Sequence, residues 1–267
     1  GVYTYYKSYQ PDCWVYNSTT SPIHEHGRIT VREAVRVSCN CFFYETGRLL
    51  GITEMNRYCK LYGLGQPTGI ELPEAEGILA GPEYRALSHG VEWQPTDTIA
   101  AAIGQSENAF TPLQIGVYYS TLVTGGTRYA AHLLSRARDF STRQDTETVV
   151  PRVVDSMIID PQYLNEVITG MEEVVSGTSA IYRYLDNVPV TVAGKTGTAQ
   201  TGGKLTDNGL YACCAPSRDP DIVVVAVVER AGGGSYAAMT AGRILEAFYK
   251  KPYFRSGDTS IETGGTV

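Results

Sequence analysis

Apolar positions change their period along the chain, and the changes divide it into regions. Residues 1–27 are rich in Tyr, Ser, Thr and Pro, show no sustained period and read as irregular. A helical stripe then begins with Val31, Ala34 and Val35, behind Thr30 and Glu33 spaced as a capping box, and runs up to Ser38. From Asn40 a second helix carries Phe42, Phe43, Leu49 and Leu50 and ends at Gly51. Ser38-Cys39-Asn40 is thereby placed at a helix junction. A short helix over Thr53 to Tyr62 is broken by Gly63-Leu64-Gly65-Gln66-Pro67 and by a Pro- and Gly-rich connection as far as Pro82. Thr111-Pro112-Leu113-Gln114 joins a capping box to a proline at the first helical position, and the apolar stretch it opens closes at Gly125-Gly126. Asp160-Pro161 opens another helix, which reaches Val175 before Gly177.

Beyond that point the period becomes strand-like, with Val188 to Ala193, Leu210 to Ala215 and Ile222 to Val228 as three successive strands. A last helix presents Ala237, Ile244, Leu245 and Phe248 as its apolar face. Helices first, then consecutive strands joined by short turns, predict an α+β fold in which an antiparallel sheet lies beside a helical region. The expected division is a mainly helical region at 28–186, sheet strands and a C-terminal helix at 187–250, and a flexible tail at 251–267.

Charge narrows the function classes. Twenty-two Lys and Arg against 28 Asp and Glu give a formal charge of −6, without the clustered cations that nucleic acid or an anionic membrane surface requires. The longest apolar run, Ile222 to Val228, falls far short of the roughly 20 residues a membrane helix needs. The chain opens on Gly1 without an initiator Met and reads as cut from something longer. Its cysteines (Cys13, Cys39, Cys41, Cys59, Cys213, Cys214) show no C-x-x-C spacing and read as small packing residues. His24-Glu25-His26 has no third ligand at useful spacing, so it reads as a loop, and neither a metal nor any other cofactor is expected.

The strongest chemical signal is Val192-Ala193-Gly194-Lys195-Thr196-Gly197-Thr198-Ala199-Gln200, which sets a cation and two hydroxyls at the end of a strand. A phosphate loop needs Gly five residues before Gly194 and a following helix; Pro189 stands there, and a strand precedes it. The alternative is the Lys-Thr-Gly element of penicillin-recognising serine acyltransferases. A strand edge can pair with an extended peptide, Lys195 and the threonines can hold a carboxylate, and Gly197 leaves room for close approach. Ser38-Cys39-Asn40 is weak alone, because a capping Ser and Asn would look the same.

Together and in order, the motifs resemble class B penicillin-binding proteins over nearly the whole chain, the elongation-type subgroup being nearest. They are His26-Gly27, Ser38-Cys39-Asn40 with Phe43-Tyr44, Gly63-Leu64-Gly65 with Thr68-Gly69-Ile70, and Ala102-Ile103-Gly104-Gln105 with Thr111-Pro112-Leu113-Gln114. Gly125-Gly126, Gly177-Thr178 and the Lys195 motif complete the series. The resemblance implies the penicillin-binding transpeptidase and serine β-lactamase-like fold. It implies that Ser38 belongs to a proton-shuttling network, Asn40 orients the substrate amide, and Lys195 completes the network electrostatically. Thr196 and Thr198 would contact a carboxylate beside Gly197, with the Thr198 N–H as half of an oxyanion hole.

One departure stands out, since no serine here has a lysine three residues later. The family's Ser-x-x-Lys lies upstream of Ser-x-Asn, so an N-terminal part of the domain, with the nucleophile and two of five strands, is expected to be missing and to leave an open sheet edge. The resemblance implies a D,D-transpeptidase that cross-links D-Ala-D-Ala stem peptides through a serine acyl-enzyme and binds β-lactams. It further implies the extracytoplasmic face of the bacterial membrane, an N-terminal anchor outside this chain, and a companion glycosyltransferase. This chain alone is expected to be inactive. The competing expectation is a non-catalytic penicillin sensor or scaffold; a β-lactamase is disfavoured by the Gly-Gln and Thr-Pro-Leu-Gln elements.

Overall fold

The structure, a computed structural model, describes residues 1–177, 179–200 and 206–250. Near the amino end it forms α1 (Val31–Val37) and α2 (Asn40–Leu61). Thr30 and Glu33 close the capping box, and Ser38 ends α1 in the left-handed region at φ 53° and ψ 50°. The break expected at Gly51 lies inside α2, where φ 76° and ψ 158° separate two helical segments; glycine reaches that φ without the penalty of a Cβ. Two helices that the apolar period did not announce follow, α3 (Pro82–His89) and α4 (Pro95–Ala101). Each starts on a proline, whose missing N–H costs nothing in a first turn. Next is α5 (Pro112–Val123), opened by the capping box of Thr111 and Gln114.

Four short strands interrupt the region read as mainly helical: β1 (Thr127–Tyr129), β2 (Arg136–Arg138), β3 (Asp145–Thr148) and β4 (Val153–Ser156). They pair antiparallel, β1 with β4 and β2 with β3. Three or four residues are too few to show alternation, and β3 is exposed at every position, so no apolar pattern marks it. The chain continues through α6 (Pro161–Gly177), α7 (Ser179–Leu185), β5 (Ala193–Ala199), β6 (Asn208–Ala215), β7 (Ile222–Val228) and α8 (Ser235–Lys250). The first expected strand is displaced: only Ala193 of Val188 to Ala193 lies in β5, so Lys195 to Thr198 sit within the strand and not beyond it. Pro189 has no N–H for a ladder, while Val188 and Val192 are buried in the core instead. The tail at 251–267 and Thr178 of Gly177-Thr178 lie outside the described residues.

The sheet is antiparallel in the order β5-β6-β7, as expected. β6 alternates between two cores: Tyr211, Cys213 and Ala215 face α7 and α8, whereas Ala212 and Cys214 face α5 and α6. On α8 the buried face is Ala237, Ala238, Ala241 and Leu245; Ile244, expected there, faces solvent. On the other side α6 lies between the sheet and α1. A Cβ added at Gly170 would come 2.8 Å from Arg32 O and 3.1 Å from Val35 Cβ, so this glycine permits the close crossing that carries the end of α1 toward β5. Arg32 on α1 and Glu173 on α6 form an ion pair across the same crossing. Among the described residues no helix is long and apolar enough to cross a membrane.

Candidate active site

The crossing delivers Ser38 to β5. Lys195 Nζ donates to Ser38 Oγ at 2.5 Å, joining side chains 157 positions apart, and also to Thr196 O at 3.1 Å. Burial pushes the Lys195 ammonium down from its ordinary 10.5 to about 8, because a charged amine loses hydration in the cleft.

Ser38 holds its place at a backbone cost. Its N–H bonds Val35 O and the Cys39 N–H bonds Ala34 O, a Schellman ending whose left-handed position usually belongs to glycine. A serine there costs roughly 1 kcal/mol against glycine. The strain is one observed outlier, and it coincides with the hydroxyl that Lys195 reaches.

Thr198 lies at the exposed end of β5. Its carbonyl accepts from Gln105 Nε2 at 3.4 Å, so that carbonyl points away from β6. A residue of an antiparallel ladder turns its N–H and C=O to the same edge, so the Thr198 N–H faces the open side as well. Gly197 and Gly234 keep the strand's surroundings close: a Cβ on Gly234 would come 2.8 Å from Thr196 Cβ and 2.6 Å from Leu210 O. Ser38, Lys195 and Thr196 therefore come together, with Thr198 farther along the same strand. Asn40 opens α2 two residues on, and its amide meets the Tyr44 hydroxyl.

A second cluster adjoins this junction. Cys13, His26 and Cys39 bring their ligand atoms within 4.8 Å of one another, with Cys13 Sγ 3.5 Å from His26 Nδ1. Tetrahedral zinc, at its usual bond lengths to sulfur and nitrogen, would set that separation at about 3.6 Å. The Asn40 N–H donates to Cys13 Sγ at 3.3 Å. Hydrogen bonding among the three thiols pulls the Cys13 value down and pushes those of Cys39 and Cys41 up. Two thiols and an imidazole at a helix start are a donor set that fits zinc. The three residues lie in separate segments, so no spacing along the chain announces the set; His24, two residues before His26, turns to Tyr16 O instead. Protein purified without chelator is expected to carry about one zinc per chain by elemental mass spectrometry, and Cys13→Ser almost none; equal metal in both would remove the assignment.

Residues 3–249 match the family model described as the penicillin-binding protein transpeptidase domain. The peptidoglycan D,D-transpeptidase MrdA of Acinetobacter baumannii is 27% identical over 239 residues, covering 83% of this chain and 34% of the relative. Stage V sporulation protein D of Bacillus subtilis is 31% identical over 231 residues, covering 82% and 34%. The chain thus spans about a third of the length of these curated relatives. Among solved structures, Pseudomonas aeruginosa PBP2 in complex with WCK 5153 superposes with a TM-score of 0.77 at 24% identity, covering 100% of this chain and 56% of that one. A peptidoglycan synthase complex solved for the coordination of polymerization and crosslinking gives 0.72 at 31%, covering 90% and 40%.

Proposed function

This chain belongs to the penicillin-binding protein transpeptidase family, and from that premise we infer that it forms the substrate-binding part of a serine D,D-transpeptidase that cross-links peptidoglycan. The observation that carries the reading is the 2.5 Å contact between Lys195 Nζ and Ser38 Oγ, with Lys195 lowered to about 8 by burial. A serine hydroxyl on a strained backbone beside an amine whose pKa burial lowers is an arrangement suited to passing protons.

In the reaction, a serine Oγ of a Ser-x-x-Lys segment attacks the carbonyl of the penultimate D-Ala of a stem peptide. Its proton passes into the Lys195–Ser38 network and then to the departing D-Ala nitrogen as the peptide bond breaks. The amine of a second stem peptide next attacks the acyl-enzyme, forming the cross-link and returning the serine. Asn40 orients the substrate amide, Thr196 and Thr198 hold a terminal carboxylate beside Gly197, and the outward Thr198 N–H polarises the reacting carbonyl. β-Lactams enter as acylating mimics. Cross-linking places the protein on the extracytoplasmic side of the membrane, with a glycosyltransferase that makes the strands as its companion.

Labelling with a fluorescent penicillin tests the reading. The full-length protein is expected to take up one label per molecule, on the serine of Ser-x-x-Lys, and this chain alone none. A folded full-length protein that binds penicillin but never acylates would support the scaffold alternative.

A further inference from the structure

We propose that Arg85 is a positioning residue for this site, holding the loop that follows α4 so that Gln105 stays against the Thr198 end of β5. The proposal rests on the reading of β5 as the substrate strand. Arg85, on α3, donates through Nε and Nη2 to Glu107 Oε1 at 2.7 and 2.5 Å, and through Nη1 to Asp97 on α4. Its guanidinium carbon sits 5.0 Å from the centre of the Trp93 ring. The Arg85, Asp97 and Glu107 side chains are only 18%, 20% and 15% exposed. Charges so enclosed depend on one another, and removing one leaves the others short of a partner.

From there the contacts lead to β5. The other oxygen of Glu107 accepts from the Ser106 hydroxyl at 2.9 Å. Ser106 stands in the left-handed region at φ 63°, and Gly104 before it at φ 78°. Between them, Gln105 ties its N–H to Ala100 O at 3.1 Å and its amide to Thr198 O at 3.4 Å. An L residue with that φ persists where its neighbours are held, and Glu107 is the neighbour that Arg85 holds. Without the guanidinium, Ser106 can relax toward ordinary backbone angles and draw Gln105 away. The Thr198 N–H, on the same strand edge as its carbonyl, then loses its fixed place.

The test compares Arg85→Met, Glu107→Gln, Gln105→Ala and the Arg85→Met/Gln105→Ala double in the full-length protein, following acylation by a fluorescent penicillin. Labelling amplitude counts folded enzyme, whereas the rate constant of that fraction reads site geometry, which a merely structural role would leave alone. Each single substitution is expected to slow the rate constant about tenfold, and the double to be no slower than Gln105→Ala alone. Should Arg85→Met fail to fold, the near-isosteric Glu107→Gln carries the comparison. Wild-type rate constants in the folded Arg85 and Glu107 variants, or a double-mutant loss equal to the product of the singles, would overturn the proposal while leaving the transpeptidase reading intact. No acylation of the wild-type protein would overturn both.

Discussion

Lys195→Met in the full-length protein is expected to lose penicillin acylation by a factor on the order of 10³ or more and to become more stable near neutral pH. Both effects follow from one feature. Lys195 is half-buried beside Ser38, so its ammonium is poorly hydrated in the folded state. A shift from 10.5 to about 8 corresponds to about 3 kcal/mol of native-state cost, and losing the bond to Ser38 returns about 1 kcal/mol of that. Methionine fills the space without charge, and a net gain of about 2 kcal/mol is expected.

The pH dependence fixes the sign. Below pH 8 the folded and unfolded chains both hold the Lys195 proton, and the folded chain bears the full burial cost. Between pH 8 and 10.5 the unfolded chain binds more protons than the folded one, so this group makes wild-type stability rise with pH; above 10.5 the cost is gone. The advantage of Lys195→Met should therefore be greatest at pH 7 and shrink through that window. Denaturant melts of both proteins at pH 7, 9 and 10.5 measure it, and a constant difference across the three would contradict the burial argument.

The helices that frame the site were legible because each carries its own stop and start. Thr30, Glu33, Gly51, Thr111 and Pro112 act within a few residues of where they sit, and their placement survives folding. The register of β5 was not legible, because Val188 and Val192 are as apolar as a strand and serve the core instead, and only the ladder tells the two uses apart. The pairing of Ser38 with Lys195 was expected from the order of motifs, yet the close packing of α1 on α6 at Gly170 that makes it possible has no local signature. Cys13 read as a packing residue for the same reason: its partners His26, Cys39 and Cys41 come from other segments, and a sequence displays separation along the chain alone.

Gln114 shows how a motif used for recognition can do its physical work elsewhere. Read as the fourth residue of Thr-Pro-Leu-Gln, it closes the capping box of α5, but its side chain is also fully buried at 0% exposure. Its Oε1 accepts the Thr111 N–H at 3.0 Å, and its Nε2 donates to Gln66 O at 2.7 Å and Glu76 O at 2.8 Å. One amide thus satisfies a helix start and two carbonyls of the connection between α2 and α3. Gln114→Leu keeps the volume and strands all three groups, so unfolding free energy should fall by about 3 kcal/mol or more, measured by denaturant titration. Gln114→Glu tests whether the amide donor matters and not shape alone. Its carboxylate would face two carbonyl oxygens, so its folded-state pKa must be raised; whatever stability it keeps should be present at low pH and lost as pH rises. A Glu variant as stable as wild type at pH 7 would mean that the two carbonyls have found other donors.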